Sequence, residues 1–267
     1  MDKSFLETPR HAVLVVGGAC AGAEATEIFA QQGILTVVVD QNARPFGKIE
    51  DGLPRWHARQ RKGEYKKIGE KLKTPGVMYW PCTRIGEHID FKTIQEWGFS
   101  AIVLACGAWN DRQVGVPGAE EAVGNGLIYQ NPFIYWFNHH EEASFSGEEY
   151  VLEDGALVIG GGLASIDVVK AVNLELAARE LRKRGIACDV VDMEHKGIKK
   201  TLEGHGLKWE DLGLEGCTLV YRRRNKDMPL AQFKDGADEA SQEKTIGLRE
   251  KLMQALVDQF FVKTRFN

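Results

Sequence analysis

Five apolar residues, Ala12-Val13-Leu14-Val15-Val16, run without a break into Gly17-Gly18-Ala19-Cys20-Ala21-Gly22. A continuous apolar run of this kind suits a strand buried on both faces of a parallel sheet. A helical pattern follows from about Ala21 to Gln32 and stops at Gly33. A second apolar run, Ile34 to Val39, then ends in Asp40. Strand, glycine turn, helix, strand and terminal acid in this order predict a dinucleotide-binding unit. Gly17 permits the tight turn out of the strand. Ala19 is small enough for a pyrophosphate to approach the backbone, although its methyl group narrows that approach. Gly22 lets the helix lie against the sheet. The helix N-terminus offers free N–H groups and a partial positive charge to phosphates. Asp40 is placed to accept hydrogen bonds from both hydroxyls of an unphosphorylated ribose.

The pattern returns about 140 residues later. Ala156 to Ile159 reads as a short buried strand, Gly160-Gly161-Gly162-Leu163-Ala164-Ser165 as the turn, and about Ala164 to Arg184 as the helix. Gly160 and Gly162 take the first two glycine positions, and Ser165 stands at the third. The next strand, Cys217 to Tyr221, ends in Arg222-Arg223-Arg224 rather than in an acid. An acid there would repel a 2′-phosphate, whereas arginine binds it bidentately and stacks on adenine. Alone, the three arginines read as a solvated basic strand end. After a glycine fingerprint they predict NADP at the second site. The expected fold is therefore α/β, with two Rossmann-like dinucleotide-binding domains, the second incomplete. Residues 1–118 form the first domain, 119–150 a crossover linker, and 151–267 the second, with a charged surface insertion at about 184–216.

Composition excludes other classes. The 267 residues carry a net charge of -4, which leaves no basic field for nonspecific nucleic-acid binding. Met1 to His11 has no apolar stretch of the kind a secretory leader needs, and Ala12 to Ala23 is too short to span a bilayer. A cytoplasmic chain is the expectation. The cysteines Cys20, Cys82, Cys106, Cys188 and Cys217 are odd in number and widely spaced, so each reads as a small buried apolar residue. His139-His140-Glu141-Glu142 looks metal-like, but neighbours on a helix point apart, so a solvated face is expected. His195 and His205 read as solvated. Trp80, Trp97, Trp109 and Trp136 read as packing residues. The basic stretch Arg55 to Lys73 reads as a solvated helix face, with docking of an acidic partner as the rival.

Two fingerprints with opposite ribose signals suggest two different cofactors, and the natural pair is a flavin with a nicotinamide. Phe99 to Leu104 fits a buried strand that delivers Ala105-Cys106-Gly107-Ala108 to a ligand. Val116-Pro117-Gly118 then closes the first domain. A single-cofactor dehydrogenase would need Tyr-x-x-x-Lys, and Tyr221 to Asn225 fails at its last position.

These segments resemble the adrenodoxin reductase (ferredoxin–NADP reductase) family and the related glutamate synthase small subunit. The residues that carry the resemblance are VVGGACAG, VVVDQNARPFGKIEDGLPRWH, ACGAW with its following VPG, GGGLASIDV and VYRRRNKDMPL. The resemblance implies FAD on Gly17, Ala19, Ala21, Gly22 and Asp40, with Phe46, Gly47, Ala105 and Gly107 beside it. It implies NADP on Gly160, Gly162, Ala164, Asp167, Arg222 and Arg223. It also implies a flavoenzyme that takes a hydride from NADPH and passes electrons to an iron–sulfur protein or a partner subunit. His57 matches the histidine of an Asp-His pair in this family and is a candidate for proton handling; its rival reading is a surface histidine in a basic loop. Family members are much longer, so the chain reads as C-terminally truncated. The alternative is a nucleotide-binding fragment without turnover, or one half of a split flavoenzyme.

Overall fold

The computed structural model describes residues 11–267, so the N-terminal stretch read for a leader lies, His11 apart, outside the described residues. After Asn131 the chain divides into two compact units.

The first unit runs β1 (Ala12–Val16), α1 (Cys20–Gln31), β2 (Leu35–Val39), α2 (Lys48–Asp51), α3 (Ala58–Lys71), β3 (Val77–Trp80), α4 (Phe91–Glu96) and β4 (Ala101–Leu104). Its strands are parallel, in the order β3-β2-β1-β4. Side chains alternate across a strand, so the unbroken apolar run of β1 serves two faces. Val13 and Val15 pack with Val38 and with Ala30 of α1 on one face. Leu14 and Val16 pack with Val37, Val39 and Ile94 of α4 on the other. Helix α1 ends where the sequence places its stop. Gly33 takes a φ of +76°, and its N–H donates to the Ala30 carbonyl at 2.9 Å. The chain steps outward from β1 through β2 to β3, then crosses to β4 on the far side of β1. That reversal opens a crevice at the carboxyl ends of β1 and β4, where such sheets bind ligands.

Helix α5 (Gln130–His139) leads into the second unit, which continues with β5 (Leu157–Ile159), α6 (Leu163–Lys183), α7 (Val190–Lys196), α8 (Ile198–Gly204), β6 (Thr218–Tyr221), α9 (Glu239–Phe260) and β7 (Lys263–Phe266). The strands are again parallel, in the order β5-β6-β7. Helix α6 is buried on every side from Ala171 to Ala178. Inside that stretch Asn173 satisfies two backbone groups that would otherwise be orphaned. Its Oδ1 accepts from the Cys217 N–H, and its Nδ2 donates to the Phe260 carbonyl, both at 2.8 Å. One side chain thus ties α6 to the start of β6 and the end of α9.

Several sequence expectations need correction. The strands β4 and β5 are not buried: Leu104 is 64% exposed, and Leu157 and Ile159 are 68% and 69% exposed. Among the described residues each strand is hydrogen-bonded to a neighbour on one side only, so an apolar strand run did not distinguish an edge from a centre. The 184–216 insertion is not a surface feature. Its charged residues surround a packed set, Val190, Met193, Ile198, Leu202, Trp209 and Leu212, all buried. Cys20, Cys82 and Cys106 are exposed; only Cys217 is fully buried, and burial pushes its thiol up to about 12. Trp80 and Trp97 are 36% and 43% exposed and meet edge to face rather than filling a core. No described helix is long and apolar enough to cross a membrane.

Asn173→Ala would leave the Cys217 N–H and the Phe260 carbonyl buried without partners. Each such orphan costs about 1–3 kcal/mol. Urea unfolding should show a loss of roughly 2–6 kcal/mol, summed from that range. A loss under about 0.5 kcal/mol, the size of an ordinary surface change, would show that these two bonds do not tie the unit together.

Candidate functional site

A cleft of about 650 Å³ in the first unit opens at the carboxyl ends of β1, β2 and β4. That volume suits a small-molecule or cofactor site. Its floor is the glycine turn. Gly17 holds a φ of +98°, and a Cβ there would stand 2.5 Å from the Ala105 carbonyl oxygen. A Cβ on Gly22 would stand 1.7 Å from the Gly17 carbonyl oxygen. Both positions therefore exclude any side chain, and α1 is pressed against the turn. The helix begins at Cys20 with no side-chain cap and no acid in its first turn. Its first-turn amides and the positive end of its dipole are left to face the cleft.

Asp40 lies at the rim and is 6% exposed. Its Oδ2 accepts from the Gly18 N–H at 2.7 Å and its Oδ1 from the Asn42 N–H at 2.9 Å. The carboxylate thus clamps the glycine turn, and each oxygen keeps a further lone pair for a hydroxyl donor. Burial, and then the negative charge of Asp40, hold the neighbouring Tyr79 phenol protonated well above its ordinary range. Phe46 stacks on Tyr65 at 3.9 Å. Gly47, with a φ of +50°, brings that turn against Ala19: a Cβ on Gly47 would lie 3.1 Å from the Ala19 Cβ. Ala21, Ala105 and Gly107 all line the same cleft. The structure therefore brings together every first-unit residue of the sequence reading except His57. That residue lines a separate shallow depression with Trp56, Arg59 and Glu64.

Sequence reasoning missed part of the lining. Lys48, Arg84, Phe91 and Trp109 also line the cleft. Trp109 is held in place through Asn131. The Asn131 Nδ2 donates to the Trp109 carbonyl at 3.0 Å, and Lys48 Nζ donates to Asn131 Oδ1 at 2.9 Å. The Trp109 Nε1 in turn donates to the Cys106 carbonyl at 2.8 Å. These residues follow no spacing rule, because loops from distant parts of the chain deliver them.

In the second unit the glycine turn sits on the β5–β6 pair, where Ile159 lies opposite Val220. The Gly160 N–H donates to the Val220 carbonyl at 3.1 Å. Gly161, which the fingerprint leaves open, is the most confined glycine of this turn. A Cβ there would stand 2.2 Å from the Tyr221 ring, whereas a Cβ on Gly162 would meet nothing within 4 Å. Gly162 precedes the uncapped first turn of α6, which also lacks an acid. Ala164 in that turn is exposed and Asp167 is half-buried. Arg222 and Arg223 follow directly on the β6 tip and are exposed, while Arg224 is drawn to Asp227 at 2.8 Å. Buried Arg249 of α9 holds the loop beyond them: its guanidinium donates to the Lys226 carbonyl at 2.9 Å and twice to that of Ala231.

The two glycines should therefore respond differently to a methyl group. Gly161→Ala forces the turn off Tyr221 and should lower both stability and nucleotide affinity. Gly162→Ala should leave thermal unfolding within about 0.5 kcal/mol of the parent, the range of an unobstructed surface change, while weakening a dinucleotide that approaches the backbone. Equal melting temperatures for the two variants would contradict this placement.

No protein-family model matches the chain. It is 21% identical over 183 residues to the mitochondrial NADPH:adrenodoxin oxidoreductase of Arabidopsis thaliana, covering 67% of this chain and 37% of that protein. It is 25% identical over 171 residues to a probable NADPH:adrenodoxin oxidoreductase of Dictyostelium discoideum, covering 62% and 31%. The chain thus spans about a third of the length of these relatives. Among solved structures, FprA from Mycobacterium tuberculosis in complex with NADPH superposes with a TM-score of 0.63 at 18% identity, over 96% of this chain and 59% of FprA. Histamine dehydrogenase from Rhizobium sp. 4-9 gives 0.53 at 15% identity, over 96% and 30%. By sequence the chain is similar to part of the NADPH:adrenodoxin oxidoreductases, and its fold is that of FprA.

Proposed function

We propose that the chain is the nucleotide-binding part of an FAD-dependent oxidoreductase, one that takes a hydride from NADPH and delivers electrons to an iron–sulfur protein or a partner subunit. The observation that carries this reading is the uncapped α1 N-terminus behind a glycine turn that no side chain can enter, with Asp40 at its rim. The first domain, at 1–118, fits FAD. The first-turn amides of α1 would hold the pyrophosphate, and the free lone pairs of Asp40 would take the ribose hydroxyls. Phe46, Gly47, Ala105 and Gly107 would flank the ring system, and Lys48 and Trp109 would close the cleft against water. The second domain, at 151–267, fits NADP(H). Gly160, Gly162 and Ala164 would admit the pyrophosphate to the α6 N-terminus. Asp167 would help to shape that first turn, and Arg222 and Arg223 would hold the 2′-phosphate. Bound FAD would supply acceptance of an electron pair and its release in single steps, which no side chain provides. The names of the relatives support the NADPH and iron–sulfur parts of the reading.

A second reading rests on the one-sided pairing of β4 and β5 and on their exposed Leu104, Leu157 and Ile159. An edge of this kind accepts a further strand. In that case the chain binds nucleotides and completes its turnover only with a partner.

A visible spectrum of the purified chain separates the readings. A yellow protein that NADPH bleaches supports the enzyme, and a yellow protein that NADPH leaves unchanged supports the split form. A colourless chain that takes up no added FAD refutes the first. Replacing both Arg222 and Arg223 with Ala should weaken NADPH by roughly 10²- to 10⁴-fold, since two charge-assisted hydrogen bonds of about 1.5–3 kcal/mol each are lost, while NADH changes little. Equal losses for both nucleotides would mean that these arginines do not meet a 2′-phosphate.

A further inference from the structure

The cleft of the first unit has a direction, and a cation stands at one end of it. Asp40 follows the tip of β2, the α1 N-terminus follows that of β1, and Ala105 to Gly107 follow that of β4. Strands β2 and β4 flank β1, so their tips stand two strand spacings apart, about 10 Å. Lys48 reaches the β4 side. Its Nζ donates to Asn131 Oδ1 at 2.9 Å, Asn131 Nδ2 donates to the Trp109 carbonyl at 3.0 Å, and Trp109 Nε1 donates to the Cys106 carbonyl at 2.8 Å. We propose that Lys48 is the positive charge this cleft presents to the ring half of a bound dinucleotide, where it favours the electron-rich reduced form, and that Asn131 positions it. The inference rests on the reading of the first cleft as the FAD site.

Three observations carry this. The first is direction. A dinucleotide with its ribose on Asp40 and its pyrophosphate at the α1 amides has its other half directed past β1 towards β4, where Lys48 and Trp109 line the cleft. The second is charge. Lys48 is half-buried, and its partner is a neutral amide oxygen, which orients an ammonium without cancelling it. Arg84 also lines the cleft, but its guanidinium lies 3.2 Å from the Glu87 carboxylate and brings less net charge. The third is rigidity. The residue that holds Lys48 is itself held, because the Asp111 carboxylate accepts the Asn131 N–H, its oxygens at 3.1 and 3.3 Å. A charge fixed in advance acts without the cost of reorganising at the moment of reaction. The reduced ring carries two electrons more than the oxidised one, so a fixed cation beside it favours reduction, whereas a neutral side chain does not.

The test loads the full chain with FAD and measures the two-electron midpoint potential of the bound flavin by equilibration with a reference dye. Lys48→Met keeps the length of the side chain and removes its charge. It should weaken the hold on reduced flavin, relative to oxidised, by at least about tenfold, which for two electrons is a potential about 30 mV more negative. Lys48→Arg should restore most of the difference. Asn131→Ala should shift the potential in the same direction as Lys48→Met but by less, because the charge is kept and its position lost. Lys62→Met, at an exposed position on α3, should leave the potential unchanged. If Lys48→Met does not retain FAD, the uncharged polar variant Lys48→Gln is read in its place, and loss of oxidised FAD from both variants would show a role in retention alone and overturn the proposal. A parent chain that takes up no FAD refutes the reading of the cleft, and this inference falls with it. A yellow parent whose potential is the same in Lys48→Met leaves that reading standing and overturns the role of Lys48. A shift in Lys48→Met without one in Asn131→Ala overturns the part given to Asn131.

Discussion

The approach of Gly22 to the Gly17 carbonyl decides the geometry of the first unit. A methyl group at residue 22 would stand 1.7 Å from that oxygen, so the helix sits as close to the strand turn as backbone allows. That closeness brings the first-turn amides of α1 to the mouth of the crevice. The crevice itself exists because the chain reverses between β3 and β4. Asp40 then uses both oxygens to hold the Gly18 and Asn42 amides, which fixes the turn before any ligand arrives. A site whose backbone is already held loses little conformational freedom on binding.

The second unit repeats the plan with looser fittings. Its third glycine position is Ser165, and the close approach moves to Gly161 against Tyr221. The Ser165 hydroxyl donates to the Gly162 carbonyl at 2.6 Å, so the serine secures the helix start that a glycine would have packed. The strand tip carries cations where the first unit carries an anion. Arg249, itself buried, holds the loop that follows them. The two tips are thus built by similar topology and given opposite charge.

Much of this was legible in the sequence, because strand–glycine–helix units obey local rules. The β1 run, the Gly33 stop, the acid at position 40 and the arginines after β6 are each set by neighbours in the chain. What was not legible depends on contacts between distant segments. Apolar strands at the edge and at the centre of a sheet look alike in sequence, so the exposure of Leu104 and Ile159 was missed. The buried face of the 184–216 insertion was hidden by charges that occupy its other side. Lys48 and Trp109 reach the cleft through Asn131, some 20 to 80 residues away in the chain, and no spacing pattern marks them.

The central claim is that Asp40 and the Arg222–Arg223 pair sort two different adenine nucleotides onto one polypeptide. A crystal structure of the chain grown with both FAD and NADP⁺ tests it most directly. The account predicts FAD in the first cleft with its ribose hydroxyls on the Asp40 carboxylate, and the 2′-phosphate of NADP⁺ on the two arginines. A single bound nucleotide, or an adenosine ribose directed away from Asp40, would contradict it.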